Sequence, residues 1–120
     1  MKVLIVEDEA EIRVCYVTLL KDLSLDVAAA ANGVDALRIY RENPLAFCLV
    51  LTDGDMPEGN GVWLAREIRC LEFGQKVPLI LISGDAEKYR NSSDAFLFTE
   101  VLEKPLIGRE FGRLLKQYLP

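Results

Sequence analysis

Short, continuous apolar runs alternate along this chain with longer stretches whose apolar residues recur every three or four positions. The runs are Val3 to Val6, Val27 to Ala31, Phe47 to Leu51, Val77 to Ile82, and Val101-Leu102. They are too short for helices. Their apolar residues are consecutive and do not alternate with polar ones, which fits strands covered on both faces, as in a parallel sheet. The intervening stretches carry helical stripes. The first holds Ile12, Cys15, Tyr16, Leu19, Leu20 and Leu23, and the second Val34, Ala36, Leu37 and Tyr40. The third holds Val62, Ala65 and Ile68 with Arg66 and Arg69 opposite, and the last holds Phe111, Leu114, Leu115 and Tyr118. A weaker stripe from Ala86 to Leu97, interrupted by Asn91-Ser92-Ser93, is expected to be the fourth helix of five, with Phe96 and Phe98 as its core residues. Strand followed by helix, five times over, predicts βαβ units with right-handed crossovers. The expected architecture is α/β, a (βα)5 doubly wound fold on a five-stranded parallel sheet. No repeat, linker or low-complexity tract interrupts it, so residues 1–120 are read as one domain. The last helix runs to Pro120, and no output domain is expected within these residues.

In such a sheet, sites form where the C-terminal strand ends meet their loops. Glu7, Asp8 and Glu9 follow the first run, and Asn32-Gly33, an ordinary turn, follows the second. Asp53, Gly54 and Asp55 follow the third, Ser83 the fourth, and Lys104-Pro105 the fifth. Taken alone, the three acids near the N-terminus would be a solvated helix start, where acids suit the helix dipole. Ser83 alone would be a turn residue and Lys104 alone a surface lysine. Their convergence on one edge changes that reading. Glu7, Asp8 and Asp53 together would repel one another and raise each other's pKa values. A hard cation with oxygen ligands is the natural counter-charge, and Mg2+ prefers a few carboxylates together with phosphate oxygens. Asp53 is placed to act as a nucleophile that forms an acyl phosphate. Phosphoryl transfer needs mainly positioning and charge neutralisation. Lys104 offers a point charge for phosphate oxygens and Ser83 a hydroxyl donor.

Composition narrows the field further. The 120 residues include no His, which removes a Ser-His-Asp triad, a Cys-His pair, a His metal ligand and a phospho-His relay within the chain. The net charge of −5 argues against a general nucleic-acid surface. Cys15, Cys48 and Cys70 form no metal or redox spacing; each sits in an apolar context and is expected to be buried, in a reducing cytoplasm. The N-terminal apolar run is too short for a secretory signal, and nothing approaches a membrane span.

The motifs VLIVEDE (Val3 to Glu9), LVLTDGDMPEGNG (Leu49 to Gly61), PLILISGDA (Pro78 to Ala86) and EKP (Glu103 to Pro105) resemble the receiver domain of two-component response regulators across essentially the whole chain. The resemblance implies a flavodoxin-like fold with Asp53 phosphorylated by a partner histidine kinase or histidine phosphotransfer protein. It implies Mg2+ held by Asp8, by Asp53 and by the backbone carbonyl of Asp55, with Glu7 acting through metal-bound water. Ser83 would be the switch hydroxyl, Lys104 would pair with the phosphoryl group or with Asp53, and the Lys104-Pro105 bond would be cis. A downstream protein would read the face built from the fourth helix, fifth strand and fifth helix, with Lys88, Arg90, Arg109 and Arg113 as exposed candidates. The chain would be a cytoplasmic monomer or weak dimer, binding neither nucleic acid nor membrane. It would be a signalling phosphoacceptor with self-catalysed transfer and hydrolysis, not an enzyme in the usual sense.

Three positions depart from the family pattern. Val101 stands where the family usually has an aromatic side chain, and a β-branched residue has few rotamers to swing. Asp55 is acidic, and is read either as a solvated loop acid or as a charge that adds negative potential beside the metal and so alters phosphoryl lifetime. Leu106-Ile107-Gly108 offers no side-chain cap for the last helix, leaving Ile107 as an apolar residue for the output face. Two other functions compete. A haloacid dehalogenase-type phosphatase would use Asp53 as nucleophile and Asp55 as general acid, but its acidic pair should follow the lysine, not precede Asp53. A phosphorylation-independent interaction domain would keep the fold without using the site.

Overall fold

The computed structural model describes residues 2–106 and 108–119. Ile107 lies outside the described residues. Five strands, β1 (Lys2–Val6), β2 (Asp26–Ala30), β3 (Phe47–Asp53), β4 (Leu79–Ser83) and β5 (Glu100–Glu103), pair in parallel in the order β2-β1-β3-β4-β5. The helices are α1 (Ala10–Asp22), α2 (Gly33–Glu42), α3 (Gly61–Arg69), α4 (Ala86–Arg90) and α5 (Gly108–Tyr118). Short 3-10 turns at Pro44–Ala46 and Ala95–Leu97 precede β3 and β5.

Successive side chains of a strand point to opposite faces, and the core divides on that parity. Val3, Ile5, Leu49, Leu51, Ile80 and Ile82 face Tyr16 and Leu20 of α1 and Phe111 and Leu114 of α5. Leu4, Val6, Val50, Leu79 and Leu81 face Ala36, Leu37 and Tyr40 of α2, Leu64, Ala65 and Ile68 of α3, and Tyr89 of α4. Tyr16 meets Phe111 edge-on with ring centres 5.1 Å apart, joining α1 to α5, and Tyr40 stacks on Phe47 at 5.6 Å. These aromatic pairs add specific geometry to the area they bury.

The expected order of elements is present, with local corrections. The fourth helix is a single short piece, Ala86–Arg90, and does not run to Leu97. The Ser92 hydroxyl donates to the Tyr89 carbonyl and accepts from the Asp94 amide, both at 3.1 Å, so local side-chain bonds replace the helical ladder. Phe98 is buried after the 3-10 turn, whereas Phe96 is 81% exposed and no core residue. At the sheet edge, β2 ends at Ala30, and Asp26 and Ala29 are exposed because no strand lies outside it. On α1 only the line through Tyr16 and Leu20 is buried; Leu19, Leu23 and Cys15 flank that line and are exposed. Cys70, the residue just after α3, is also exposed, and only Cys48 is buried. Asn32 is more than a turn residue, since its side chain caps α2 by accepting from the Asp35 amide at 2.8 Å.

One arginine fastens the connections beneath the sheet. Arg69, the last residue of α3, donates to the carbonyls of Leu97 (2.9 Å), Gly74 (3.1 Å) and Val77 (2.8 Å). It ties α3 to the approaches to β4 and β5. Arg69→Met keeps the aliphatic length but leaves three carbonyls without this donor. It is expected to lower unfolding stability by about 2–4 kcal/mol in urea denaturation with an unchanged m-value; a stability equal to wild type would contradict this role.

Candidate functional site

The sheet brings its polar strand ends to one edge. Glu7 directly follows β1, Asp53 ends β3 and Ser83 ends β4; all three are buried although polar. Asp8 is exposed at the rim. Register fixes their neighbourhood: Thr52 pairs with Val6, Asp53 with Ile82, and Ser83 with Glu103, the residue before Lys104. The Lys104 amide donates to the Ser83 carbonyl at 2.9 Å, continuing the ladder into the site. The Lys104-Pro105 bond is cis, as expected.

Glu7, Asp8 and Asp53 each place a carboxylate oxygen within 4.8 Å of the others. Lys104 Nζ lies 3.1 Å from Glu7 Oε2 and 3.4 Å from Asp53 Oδ1, and so bridges two of the three. Glu7 is held from the main-chain side as well: its Oε1 accepts from the Glu9 amide at 3.3 Å, and its carbonyl accepts from Arg13 at 2.8 Å. The glutamate expected to act through water is thus also the closest ion partner of Lys104.

One lysine does not neutralise this cluster. Burial, and then the Glu7 charge, push the Asp53 carboxyl up to about 6 against the pull of Lys104. Burial raises Glu7 too, more than Lys104 and the Glu9 amide lower it. Burial draws the Lys104 ammonium down, but Asp53 and Glu7 outweigh it and hold its pKa above the ordinary lysine value. The arrangement therefore favours one more positive charge. Its donors are hard carboxylate oxygens, two of them at buried positions, which suits Mg2+.

Ser83 Oγ accepts from the Asp85 amide at 3.0 Å, and the Asp85 side chain in turn accepts from the Lys88 amide at 3.3 Å, capping α4. The Ser83 hydroxyl is thus joined to the start of α4. Val101 is half-buried and packs against the core. Its carbonyl accepts two bonds from Arg90 of α4, at 3.2 and 2.7 Å. Among the expected exposed cations, Arg113 is paired with Glu100 at 3.0 Å, and Lys88 lies 3.7 Å from Asp55.

Asp55 is the one predicted site residue whose side chain the fold sends elsewhere. Its carboxylate is outside the three-carboxylate group, with Oδ1 accepting a 2.5 Å bond from the Tyr89 hydroxyl. Burial, and then the Asp55 carboxylate, hold the Tyr89 phenol well above its ordinary value, so it stays a donor. Tyr89 was not among the expected site residues. Its signal in the sequence is faint: a glycine at position 54, next to the phosphoacceptor candidate, that leaves room for a ring from a distant segment.

A family model described as response regulator receiver domain matches residues 3–115. The response regulator receiver protein CpdR of Brucella abortus is 33% identical over 98% of this chain and 96% of its own length. Among solved structures, the receiver domain of a sensor histidine kinase from Pseudomonas aeruginosa PAO1, with a magnesium ion coordinated in its active site cleft, superposes with a TM-score of 0.88. It is 26% identical, covering 98% of this chain and 95% of that one. The response regulator TrrA of Thermotoga maritima, solved in complex with Mg(2+)-BeF, is 26% identical with a TM-score of 0.85, covering 97% and 96% of the two chains.

The raised Asp53 pKa fixes the sign of a pH effect. Between 3.8 and about 6 Asp53 holds more of its proton in the folded protein than in the unfolded chain, so its contribution to stability falls as pH rises through that window. In the absence of divalent cations, Asp53 is expected to cost the protein roughly 3 kcal/mol across it. Asp53→Asn, or saturating Mg2+, should flatten the loss in thermal unfolding measured pH by pH. A metal-free wild-type curve that falls no more steeply through the window than that of Asp53→Asn would refute the charge balance described.

Proposed function

The chain belongs to the response regulator receiver family of two-component systems, and on that premise we propose that Asp53 is its phosphoacceptor, charged by a phosphohistidine on a sensor kinase or histidine phosphotransfer protein. The observation that carries the reading is the convergence on Asp53 of two further carboxylates within 4.8 Å and of Lys104 at 3.4 Å. Asp8, Asp53 and the Asp55 backbone carbonyl would hold Mg2+, with Glu7 reaching it through water. When bound, the ion supplies the charge neutralisation that lets an anionic phosphoryl group approach a carboxylate.

The rest is the work of the chain's own residues. Asp53 attacks the phosphorus in line, and the histidine nitrogen departs. Lys104 is close enough to exchange its contact with Asp53 for one with a phosphoryl oxygen. Ser83 donates its hydroxyl to another oxygen, and in moving gives up the Asp85 amide at the head of α4. A ligand shifts a two-state equilibrium only through contacts that differ between the states, and this exchange is such a difference. It bears on the α4–β5–α5 face, which Arg90 and Arg113 hold together. That face is the surface we assign to a downstream protein partner. Hydrolysis of the acyl phosphate resets the state, so the chain is a self-catalysed phosphoacceptor and not an enzyme with a separate substrate.

No helix among the described residues is long and apolar enough to cross a membrane. The three cysteines are free, which supports placing the protein in a reducing cytoplasm. A phosphatase using Asp55 as general acid finds no support, because Tyr89 and Lys88 engage that carboxylate away from the cluster.

Acetyl phosphate with Mg2+ is expected to give a single phosphoryl adduct by intact-mass spectrometry, absent in Asp53→Asn. Asp8→Asn should raise the Mg2+ needed for half-maximal modification about tenfold or more, some 1.4 kcal/mol. Ser83→Ala should keep the adduct but lose the accompanying change in amide exchange at α4. A wild-type protein that stays unmodified, or an adduct that survives Asp53→Asn, overturns the assignment and favours a phosphorylation-independent interaction domain.

A further inference from the structure

The acidic group at the rim that the phosphoacceptor chemistry does not use is the Asp55 carboxylate. Asp55 lies two residues after Asp53, and its main chain belongs to the loop that the reading above places at the metal. Its side chain nevertheless turns away to α4. The Tyr89 hydroxyl donates to Oδ1 at 2.5 Å, and Lys88 Nζ lies 3.7 Å from the same oxygen. Lys88 also sits over the Tyr89 ring, 5.2 Å from its centre, a favourable cation–ring placement.

Tyr89 is only 6% exposed, although the carboxylate it serves is at the surface. Its ring packs against the backbone of Gly54, where a Cβ would come within 2.7 Å of the ring. Residue 54 must therefore lack a side chain for the ring to lie there, and the ring position is what brings the hydroxyl to Asp55. Gly54, Asp55, Lys88 and Tyr89 form one assembly drawn from two segments.

We propose that Tyr89, assisted by Lys88, is a positioning residue that parks the Asp55 carboxylate outside the phosphoryl-transfer centre, so that the loop's main chain serves the centre while this fourth negative charge does not. The proposal rests on the reading of Asp53 as phosphoacceptor. A fourth carboxylate near Glu7, Asp8 and Asp53 has two opposite effects. It attracts a divalent cation more strongly, and it repels the anionic phosphoryl group that has to approach Asp53. Releasing Asp55 therefore strengthens Mg2+ binding while slowing phosphoryl uptake. General damage to the site weakens both.

The test uses the full chain as wild type, Tyr89→Phe, Asp55→Asn and the double variant. Mg2+ affinity is read from the fluorescence of Trp63, the single tryptophan, which lines the same cleft as Asp55 and Tyr89. Phosphoryl uptake is the rate of adduct formation with acetyl phosphate. Tyr89→Phe keeps the ring over Gly54 and is expected to tighten Mg2+ binding by about threefold to tenfold and to slow uptake by a similar factor. In the Asp55→Asn background, where the side chain carries no charge, the same substitution should change either quantity by no more than about twofold. Lys88→Gln, at an exposed position, should move both quantities in the same directions by a smaller factor and serves if Tyr89→Phe folds poorly. Loss of both affinity and rate in Tyr89→Phe, or an equal effect in both Asp55 backgrounds, overturns the proposal in favour of simple packing. If the wild type takes up no phosphoryl group, the reading of Asp53 fails, and the Mg2+ arm decides by itself whether Asp55 is parked.

Discussion

Three carboxylates within 4.8 Å of one another, two of them on buried residues, are the constraint that the rest of this molecule satisfies. Left to themselves they would separate. They stay together because two of them sit at the ends of β1 and β3, whose apolar residues are closed on both faces by helices. Burial of those residues, each contributing about 1.5–3 kcal/mol, offsets the repulsion at the edge. Lys104 completes the arrangement from β5, reaching across to Glu7 and Asp53. The net charge of −5 is accordingly less a property of the whole surface than of one edge, where a divalent cation can offset it.

The same edge is joined to a short helix, α4. A five-residue helix has little stability of its own, since nucleation is costly and few turns repay it. The position of α4 is therefore set by its attachments: the Ser83–Asp85 bond at its start, Tyr89 against Gly54 and Asp55 on the site side, and Arg90 on the Val101 carbonyl on the far side. Ala86 and Tyr89 seat α4 against the core, and these polar contacts fix its two ends. With only two core-facing residues, such a helix is moved by a change in one contact more readily than a long helix with a full core face.

Much of this was legible in the chain itself. Continuous apolar runs identify parallel strands, and parallel strands bring all their C-terminal ends to one edge. Glu7, Asp53, Ser83 and Lys104 could thus be placed together from position alone. Strand order is a different matter. Nothing local in Val27 to Ala31 says that β2 is an edge, so Ala29 was expected inside and lies exposed. Periodicity also blurs neighbours: Cys15 and Tyr16 share one stripe on paper, but only the line through Tyr16 and Leu20 meets the sheet. The length of α4 turned on two hydrogen bonds of Ser92, an alternative to the helix that hydrophobic pattern does not register. Tyr89 was hidden for a further reason. Its role depends on a side chain that is missing, at Gly54, some distance away in the sequence.

That missing side chain points to how the loop after β3 is governed. Its main chain is fixed independently of Asp55: the Gly54 amide donates to Ile82, and the Gly61 amide donates to Gly54. A Cβ on Gly61 would sit 2.5 Å from the Asp53 carbonyl, so the start of α3 abuts the backbone of Asp53. These contacts set where the loop's carbonyls lie, and none of them involves the Asp55 carboxylate. The direction of that carboxylate is decided instead by Tyr89 and Lys88, which belong to another segment. A backbone group wanted at a metal and a charge unwanted beside an incoming anion can therefore reside on one residue without conflict. On the proposed reading, an acid at position 55 is compatible with phosphoryl chemistry at position 53 because the fold determines its main chain and its side chain separately.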